Sequence, residues 1–318
     1  MKVGLIGFGS IGKRHVNNLL ELGVKEITLM RDKGRGNEHG LKEVYDFDTF
    51  LESDFDFVIV SNPTTFHAGT LKPLIRNNMN LLVEKPLVYT PDEYSELKEM
   101  LTSYTGKGMI AYNMRFHPCI VKVKEILEKK ITGDVYSARL FVGQYLPEWR
   151  PGTDYRTGVS ALKELGGGVV LELIHEIDLA LYLFGKPATG IFSFAGKASS
   201  LEIETEDISE ILWRSRENTI VSVHQDYLSR HYMRYIELVG GKGTLFCDLG
   251  SPEITIKGPA GKLIFHETFS FERNVMYFNL MKYYVECISN DIKPVPSLAD
   301  SLESTGIALE VKMNNNLL

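Results

Sequence analysis

Val3-Gly4-Leu5-Ile6-Gly7-Phe8-Gly9-Ser10-Ile11-Gly12 is the stretch that decides the fold. It begins as a short apolar strand. Its glycines then follow a Gly-x-Gly-x-x-Gly spacing where that strand hands over to a helix predicted over 11–22. The spacing alone is common, but at a strand end and a helix start it has a mechanism. Gly7 permits the tight turn, Gly9 lets the backbone approach a pyrophosphate, and Gly12 lets the helix lie close against the strand. The helix start at Ser10 and Ile11 presents unpaired N–H groups to phosphate oxygens. The expectation is a dinucleotide-binding Rossmann domain.

Outward from this stretch, apolar strands alternate with helical segments, as in a doubly wound parallel α/β sheet. Strands are predicted over 2–7, 26–30, 57–60, 80–84 and 109–113, with helices over 11–22, 48–51, 67–78 and 91–104. Thr90, Pro91 and Glu93 mark the last helix with a capping box and a proline in its first turn. The second strand ends at Met30-Arg31-Asp32-Lys33-Gly34-Arg35. An acid at this point holds the ribose 2′-hydroxyl of NAD, whereas an arginine faces the 2′-phosphate of NADP. Arg31 abuts the position and Asp32 follows it, so the cofactor is expected to be NAD(P), leaning to NADP. Lys33 and Arg35 read as a solvated loop. The turn Ser61-Asn62-Pro63-Thr64-Thr65-Phe66-His67 leaves the strand over 57–60 and can line the cofactor with Asn62, Pro63 and Thr64. His67 either touches the cofactor or caps locally.

Beyond Pro118 the texture changes. The sequence predicts a helix over 120–129, a strand over 135–142, a polar aromatic loop over 144–157 and one helix from 168 to before Gly185. Short β segments follow over 189–196, 208–215, 219–226, 234–239, 243–248, 253–257 and 262–267, then helices over 274–289 and 298–313. Runs of strands without intervening helices imply an α+β domain with an open, mainly antiparallel sheet. The predicted organisation is therefore 1–118, dinucleotide-binding, and 119–318, substrate-binding and oligomerisation. One face of that sheet is expected to expose Ile211, Val221 and Val223, predicting a homodimer or homotetramer joined through the sheets.

A chain of 318 residues with 44% hydrophobic and 24% charged residues can bury a core in each of two domains. The net charge of −6, without a basic stripe, argues against nucleic acid or an anionic membrane as partner. Cys119, Cys247 and Cys287 follow no metal-ligand spacing and are expected to be free thiols in a reducing compartment. No metal is expected. With no signal-peptide pattern after Met1 and no long apolar run, the protein is expected in the cytoplasm.

The strand Leu81-Leu82-Val83 runs into Glu84-Lys85-Pro86. Together with the glycine loop and the Ser61-Asn62-Pro63…His67 turn, this resembles the glucose–fructose oxidoreductase / inositol dehydrogenase family, Gfo/Idh/MocA. Asn113-Met114-Arg115-Phe116-His117-Pro118 and Tyr145-Leu146-Pro147-Glu148-Trp149-Arg150-Pro151 extend the resemblance. So does Gly166-Gly167-Gly168…Glu172…His175…Asp178, and nearly the whole chain is covered in order. The resemblance implies NAD(P)-dependent hydride transfer at a carbinol carbon of a small polyhydroxylated substrate: a sugar, amino sugar, nucleotide-linked sugar or cyclitol.

It also implies roles. Lys85 maps to the family's lysine at the reacting centre, where an ammonium stabilises a developing alkoxide, and Glu84 beside it joins the cofactor-lining set. His175 matches the histidine that moves the hydroxyl proton, a task its chemistry suits. The family's upstream aspartate lies four residues before that histidine; here Glu172 lies three before it. It either inherits the role across a shared helix face or pairs structurally, as Asp178 is expected to. Substrate contacts are expected from Lys85, Arg115, Tyr145, Trp149, Arg150, Asp154, Tyr155, Arg156 and His175, although the loop over 144–157 equally fits packing or an interface. A non-catalytic NAD(P)-binding sensor and an NAD-dependent glycosidase on the same fold remain open alternatives.

Overall fold

The computed structural model describes residues 1–32, 34 and 36–318, so the solvated-loop reading of Lys33 and Arg35 lies outside the described residues. In the first part of the chain, β1 (Lys2–Ile6) leads through Gly7–Gly9 into α1 (Ser10–Glu21). Then come β2 (Glu26–Met30), β3 (Lys42–Val44), α2 (Phe47–Leu51), β4 (Phe57–Val60), α3 (His67–Arg76), β5 (Leu81–Val83), α4 (Pro91–Met100) and β6 (Gly108–Ile110). The six strands are all parallel, in the order β3-β2-β1-β4-β5-β6. All of β4 and β5 is buried. That is why they read as continuous apolar runs rather than alternating ones. Strand order reverses beside β1, so the crevice for a ligand opens at the C-terminal ends of β1 and β4. The expected cap of α4 forms, Thr90 Oγ1 accepting from the Glu93 amide at 3.3 Å. β3 escapes sequence reading because its three residues, Lys42-Glu43-Val44, carry a single apolar side chain.

The second part contains α5 (Pro118–Glu128), β7 (Val135–Gly143), α6 (Val169–Glu172) and α7 (His175–Phe184). It continues with β8 (Phe192–Gly196), β9 (Ile208–Arg214), β10 (Ile220–Asp226), β11 (Met233–Gly240), β12 (Thr244–Asp248), β13 (Glu253–Lys257) and β14 (Leu263–Thr268). The eight strands run β14-β13-β12-β11-β7-β10-β9-β8, and every pair is antiparallel except β7 with β10. Side chains alternate across the sheet. Ile211, Trp213, Val221, Val223, Leu140 and Ile236 are buried, whereas Phe192, Phe194, Leu212, Ile220, Val239 and Phe246 are exposed. The expectation that Ile211, Val221 and Val223 face water is therefore corrected: they point into the core, and their neighbours in the strand occupy the open face. A period of two means that choosing the wrong parity flips the whole set.

The single helix expected from 168 is broken. α6 ends at Glu172, Leu173 and Ile174 form a turn, and α7 restarts at His175. The Gln225 side-chain amide on β10 donates to the Leu173 carbonyl at 2.8 Å, which also accepts from the Glu176 amide at 3.3 Å.

α8 (Asn274–Ser289) and α9 (Leu302–Asn314) close the chain. The structure divides into Met1–Asn113 with Arg273–Thr305, and Met114–Glu272 with Gly306–Leu318. This differs from the expected 119–318, because α8 packs on the parallel sheet's unit. Tyr284 meets Phe57 edge-on at 5.1 Å, its hydroxyl donates to the Lys107 carbonyl at 2.6 Å, and Arg14 lies over the Tyr277 ring at 4.3 Å.

Candidate active site

In the first unit, the glycine loop has the properties its chemistry requires. Gly7 takes φ +91°, and a Cβ there would lie 2.3 Å from the Asn62 amide nitrogen. A Cβ on Gly12 would lie 2.1 Å from the Gly7 carbonyl oxygen, so the helix can start only against a glycine. Gly9 is different: a Cβ there would meet nothing within 4 Å. The protein leaves open space over Gly9, at the N-terminus of α1, whose first turn carries no acidic residue. A pyrophosphate fits that cradle, with Ser10 and Ile11 opening the helix beside it. Ser61 closes the turn from β4, its hydroxyl donating to the Gly7 carbonyl at 2.7 Å.

β2 ends at Met30, so Arg31 is the first residue after it and Asp32 lies exposed behind. The Arg31 guanidinium donates to Glu43 Oε1 on β3 at 3.0 Å and to the Gly36 carbonyl at 2.9 Å, 5.5 Å over the Phe8 ring. Phe8, Lys13, Arg31, Asn37 and Glu38 line an open cleft there, with Lys13 reaching Glu38 at 3.5 Å.

Asn62, Pro63 and Thr64 follow β4, as expected, and a short 3-10 turn begins at Thr64. The Asn62 side chain turns back to donate to Thr70 Oγ1 at 2.9 Å. His67 braces the turn from within. It is buried, with Nε2 3.0 Å from the Asn62 carbonyl oxygen and Nδ1 3.0 Å and 3.2 Å from those of Pro86 and Leu87. Burial pushes its ionisation below the usual histidine range, against the pull of those carbonyls. Glu84, Lys85 and Pro86 leave β5 in this neighbourhood, and the Lys85–Pro86 peptide is cis. The Glu84 carboxylate faces inward. Its Oε1 lies 2.7 Å from Nε2 of the fully buried His15 on α1, and its Oε2 accepts from the Lys85 amide at 3.3 Å. Sequence reading missed His15, although its place one helical turn past Gly12 on the buried side of α1 was visible.

In the second unit, three glycines let three segments close up. Gly166 and Gly168 take φ +74° and +107°, and a Cβ on Gly167 would lie 2.0 Å from the Val159 carbonyl oxygen. Beyond them Glu172 accepts from Ser160 Oγ at 2.9 Å. Glu172 ends α6, and His175 opens α7 after Leu173 and Ile174. Arg115 is paired within this unit. Its Nε and Nη2 donate to the two oxygens of the fully buried Asp178, at 2.8 Å and 2.5 Å, and Tyr182 packs against the guanidinium. Asp178 is thus the structural pairing residue anticipated. Glu176 accepts from Arg234 Nε on β11 at 2.6 Å.

The loop after β7 folds over this region. Tyr145 lies under the Arg230 guanidinium at 3.9 Å, and Trp149 donates to the Gln144 carbonyl at 3.1 Å while meeting Tyr227 edge-on at 5.1 Å. Arg156 is held by Asp154 at 2.8 Å and Glu202 at 3.1 Å. Leu146, Trp149, Arg150, Asp154, Tyr155 and Ser160 line a cleft of about 160 Å³, with the Ser160–Glu172 hydrogen bond at its edge. Ser160 is the second residue that sequence reading missed; no motif marks it.

A parallel sheet with a pyrophosphate cradle at its switch point, joined to a unit with an open sheet and a polar aromatic cleft, defines a dinucleotide-dependent oxidoreductase class. Residues 1–112 match the oxidoreductase family with NAD-binding Rossmann fold, and residues 120–246 match the Gfo/Idh/MocA C-terminal domain. The chain belongs to the Gfo/Idh/MocA oxidoreductase family. It is 26% identical over 265 residues to the uncharacterized oxidoreductase YrbE of Bacillus subtilis, covering 78% of this chain and 74% of that one. It is 21% identical over 321 residues to inositol 2-dehydrogenase of Rhizobium meliloti, covering 97% and 94%. A levoglucosan dehydrogenase in complex with NADH shares the fold at a TM-score of 0.85 and 17% identity, over 99% of this chain and 97% of that one. Among the described residues, no helix is long and apolar enough to cross a membrane.

Proposed function

We propose that this protein reversibly oxidises a secondary alcohol of a sugar, amino sugar, nucleotide-linked sugar or cyclitol, with NADP(H) as the preferred cofactor. The carrying observation is Glu84-Lys85-Pro86 at the end of β5, in the same unit as the glycine cradle and braced by His15 and His67. When bound, the nicotinamide supplies the two-electron acceptor or donor. Lys85 stabilises negative charge as it develops on the reacting oxygen. His175 takes the hydroxyl proton in oxidation and returns it in reduction. Glu172, oriented by Ser160, acts from the cleft edge on substrate hydroxyls. Arg150, Trp149 and Tyr155 hold the polyhydroxylated ring with a charged group and aromatic planes.

The NADP(H) preference rests on Arg31, fixed by Glu43 beside Phe8, with Lys13 in the same cleft. A guanidinium already immobilised meets a 2′-phosphate at little entropic cost. Calorimetric titration should show tighter NADP(H) than NAD(H), with Arg31→Ala narrowing the gap; equal or tighter NAD(H) for the parent rejects it. The relatives include an inositol dehydrogenase and the fold neighbours a levoglucosan dehydrogenase, which supports polyol substrates. The activity is tested by a turnover screen over free sugars, inositols and nucleotide-linked sugars. Lys85→Ala and His175→Ala should each lose about 10²–10⁴ in turnover while binding dinucleotide within a few-fold of the parent. Parental turnover in both variants would overturn the assignment. We place the protein in the cytoplasm on its three buried free thiols, and assign it a homo-oligomer joined through the open sheet face.

A further inference from the structure

We infer that His15 is a positioning residue for the reaction, acting through Glu84 on the segment that carries Lys85. The inference rests on the reading of Lys85 given above. Lys85 sits between two anchors. On one side the His15 ring, entirely buried in α1, meets Glu84 Oε1 at 2.7 Å. On the other, His67 reaches the carbonyl oxygens of Pro86 and Leu87. Each anchor originates in a segment that also shapes the dinucleotide site: His15 in the helix that opens on the glycine loop, His67 directly after the Asn62–Thr64 turn.

The hydrogen bonds fix the state of the pair. His15 Nδ1 is buried and has no hydrogen-bond partner among the described residues. A proton there would be stranded, so the ring carries its proton on Nε2 and donates it to Glu84. That contact fixes one oxygen of the Glu84 carboxylate. Its second oxygen accepts from the Lys85 main-chain amide. His15 thereby holds the carboxylate, and the carboxylate holds the Lys85 backbone, just before the cis peptide at Pro86. Without His15, Glu84 loses the contact that orients it and the Lys85 amide loses a fixed acceptor. The cradle at Gly9 is untouched. A small displacement of the lysine costs catalysis far more than it costs dinucleotide binding.

The test uses the full chain and the best substrate from the screen. Parent, His15→Leu, His15→Gln, the double variant His15→Leu/Glu84→Leu and Lys85→Ala are compared for kcat, KM and dinucleotide Kd by fluorescence titration. Exchange of the Lys85 amide is followed in cofactor-free protein. His15→Leu should lower kcat on the order of tenfold to a hundredfold, leave dinucleotide Kd within about threefold, and speed Lys85 amide exchange. His15→Gln, whose amide nitrogen places a donor near the Nε2 position, should recover most of kcat. The double variant leaves no stranded carboxylate and so remains folded if the single variant does not; its kcat should still be low. Parental kcat in His15→Leu or in the double variant overturns the inference, as does a parallel loss of kcat and dinucleotide affinity that His15→Gln fails to rescue. If Lys85→Ala itself turns over normally, the reading of Lys85 falls and this inference with it. If Lys85→Ala is inactive while His15→Leu is not, only the role of His15 falls.

Discussion

Single residues here divide into those whose job is to be small and those whose job is to be placed. Gly9 and Gly12 belong to one motif yet fail differently when enlarged. A Cβ on Gly9 enters open space, whereas one on Gly12 runs into the Gly7 carbonyl. Gly9→Ala should therefore melt near the parent temperature while losing dinucleotide affinity, because the methyl occupies the cradle. Gly12→Ala should lower the melting temperature as well, since backbone must move. Thermal melts paired with fluorescence titration check this, and equal melting losses in the two variants would contradict it. The cradle was legible because glycine spacing is a backbone property carried by local sequence. Arg115 and His67 were not. Each bonds to a partner remote in sequence, Asp178 and the Pro86 carbonyl, and no local pattern announces a pairing across that separation.

Elements show the same limit one level up. Apolar periodicity placed every strand but β3 within three residues at either end, yet it ran one helix across 168–184 where the structure has α6, a break and α7. At the break the Leu173 carbonyl accepts from the Gln225 side chain on β10 as well as from the Glu176 amide, a contact made across the fold rather than within the helix. The start of α6 is governed by another distant partner. Glu206, fully buried, accepts from Lys312 Nζ at 3.1 Å and from the Val170 amide at 3.3 Å, and Lys312 also donates to the Gly167 carbonyl at 3.1 Å. Lys312→Met leaves that carboxylate buried without its cation, which costs about 3–5 kcal/mol. Chemical denaturation should show the loss, and should show less of it in Lys312→Met/Glu206→Gln, where no charge is left uncompensated. A single variant as stable as the parent would contradict this. Glu43 on the overlooked β3 makes the same point for the cofactor. The residue that fixes Arg31 lies on a strand too short to read.

At the scale of the whole molecule, the open face of the eight-stranded sheet carries the exposed Phe192, Phe194, Leu212 and Phe246. Beside them runs a row of stacked rings, with His224 on Phe141 at 4.2 Å and Phe141 on Tyr235 at 5.0 Å. If copies join through this face, Phe194→Glu should shift light scattering toward monomer at micromolar concentration; an unchanged mass would move the interface elsewhere. His224 also contacts Glu210 at 2.6 Å and Asp226 at 2.9 Å. Burial pulls its ionisation down, but the two carboxylates outweigh this and hold it above the ordinary 6.5. A raised histidine stabilises fully below its unfolded value, and that contribution disappears as pH climbs through the folded one. Asp226 is depressed despite burial, by His224 and by Ser229 and Leu228 amides. Its contribution is present above the ordinary 3.8 and fades as pH falls through its folded value. Melting temperature should fall from about pH 6 to about pH 9 more in the parent than in His224→Gln, and identical slopes would exclude the cluster.

The sequence by itself determined the parallel sheet, its glycine cradle, the succession of antiparallel strands and the family. These rest on backbone conformation and on periodicity, which neighbouring residues encode. Tertiary structure alone decided which face of the open sheet is bare, where the helix after Gly168 breaks, that α8 returns to the first unit, and which charged groups are already spent. Those outcomes depend on the meeting of segments far apart in the chain. Such meetings are selected by packing and by the cost of stranding a buried charge, and neither leaves a mark in local sequence.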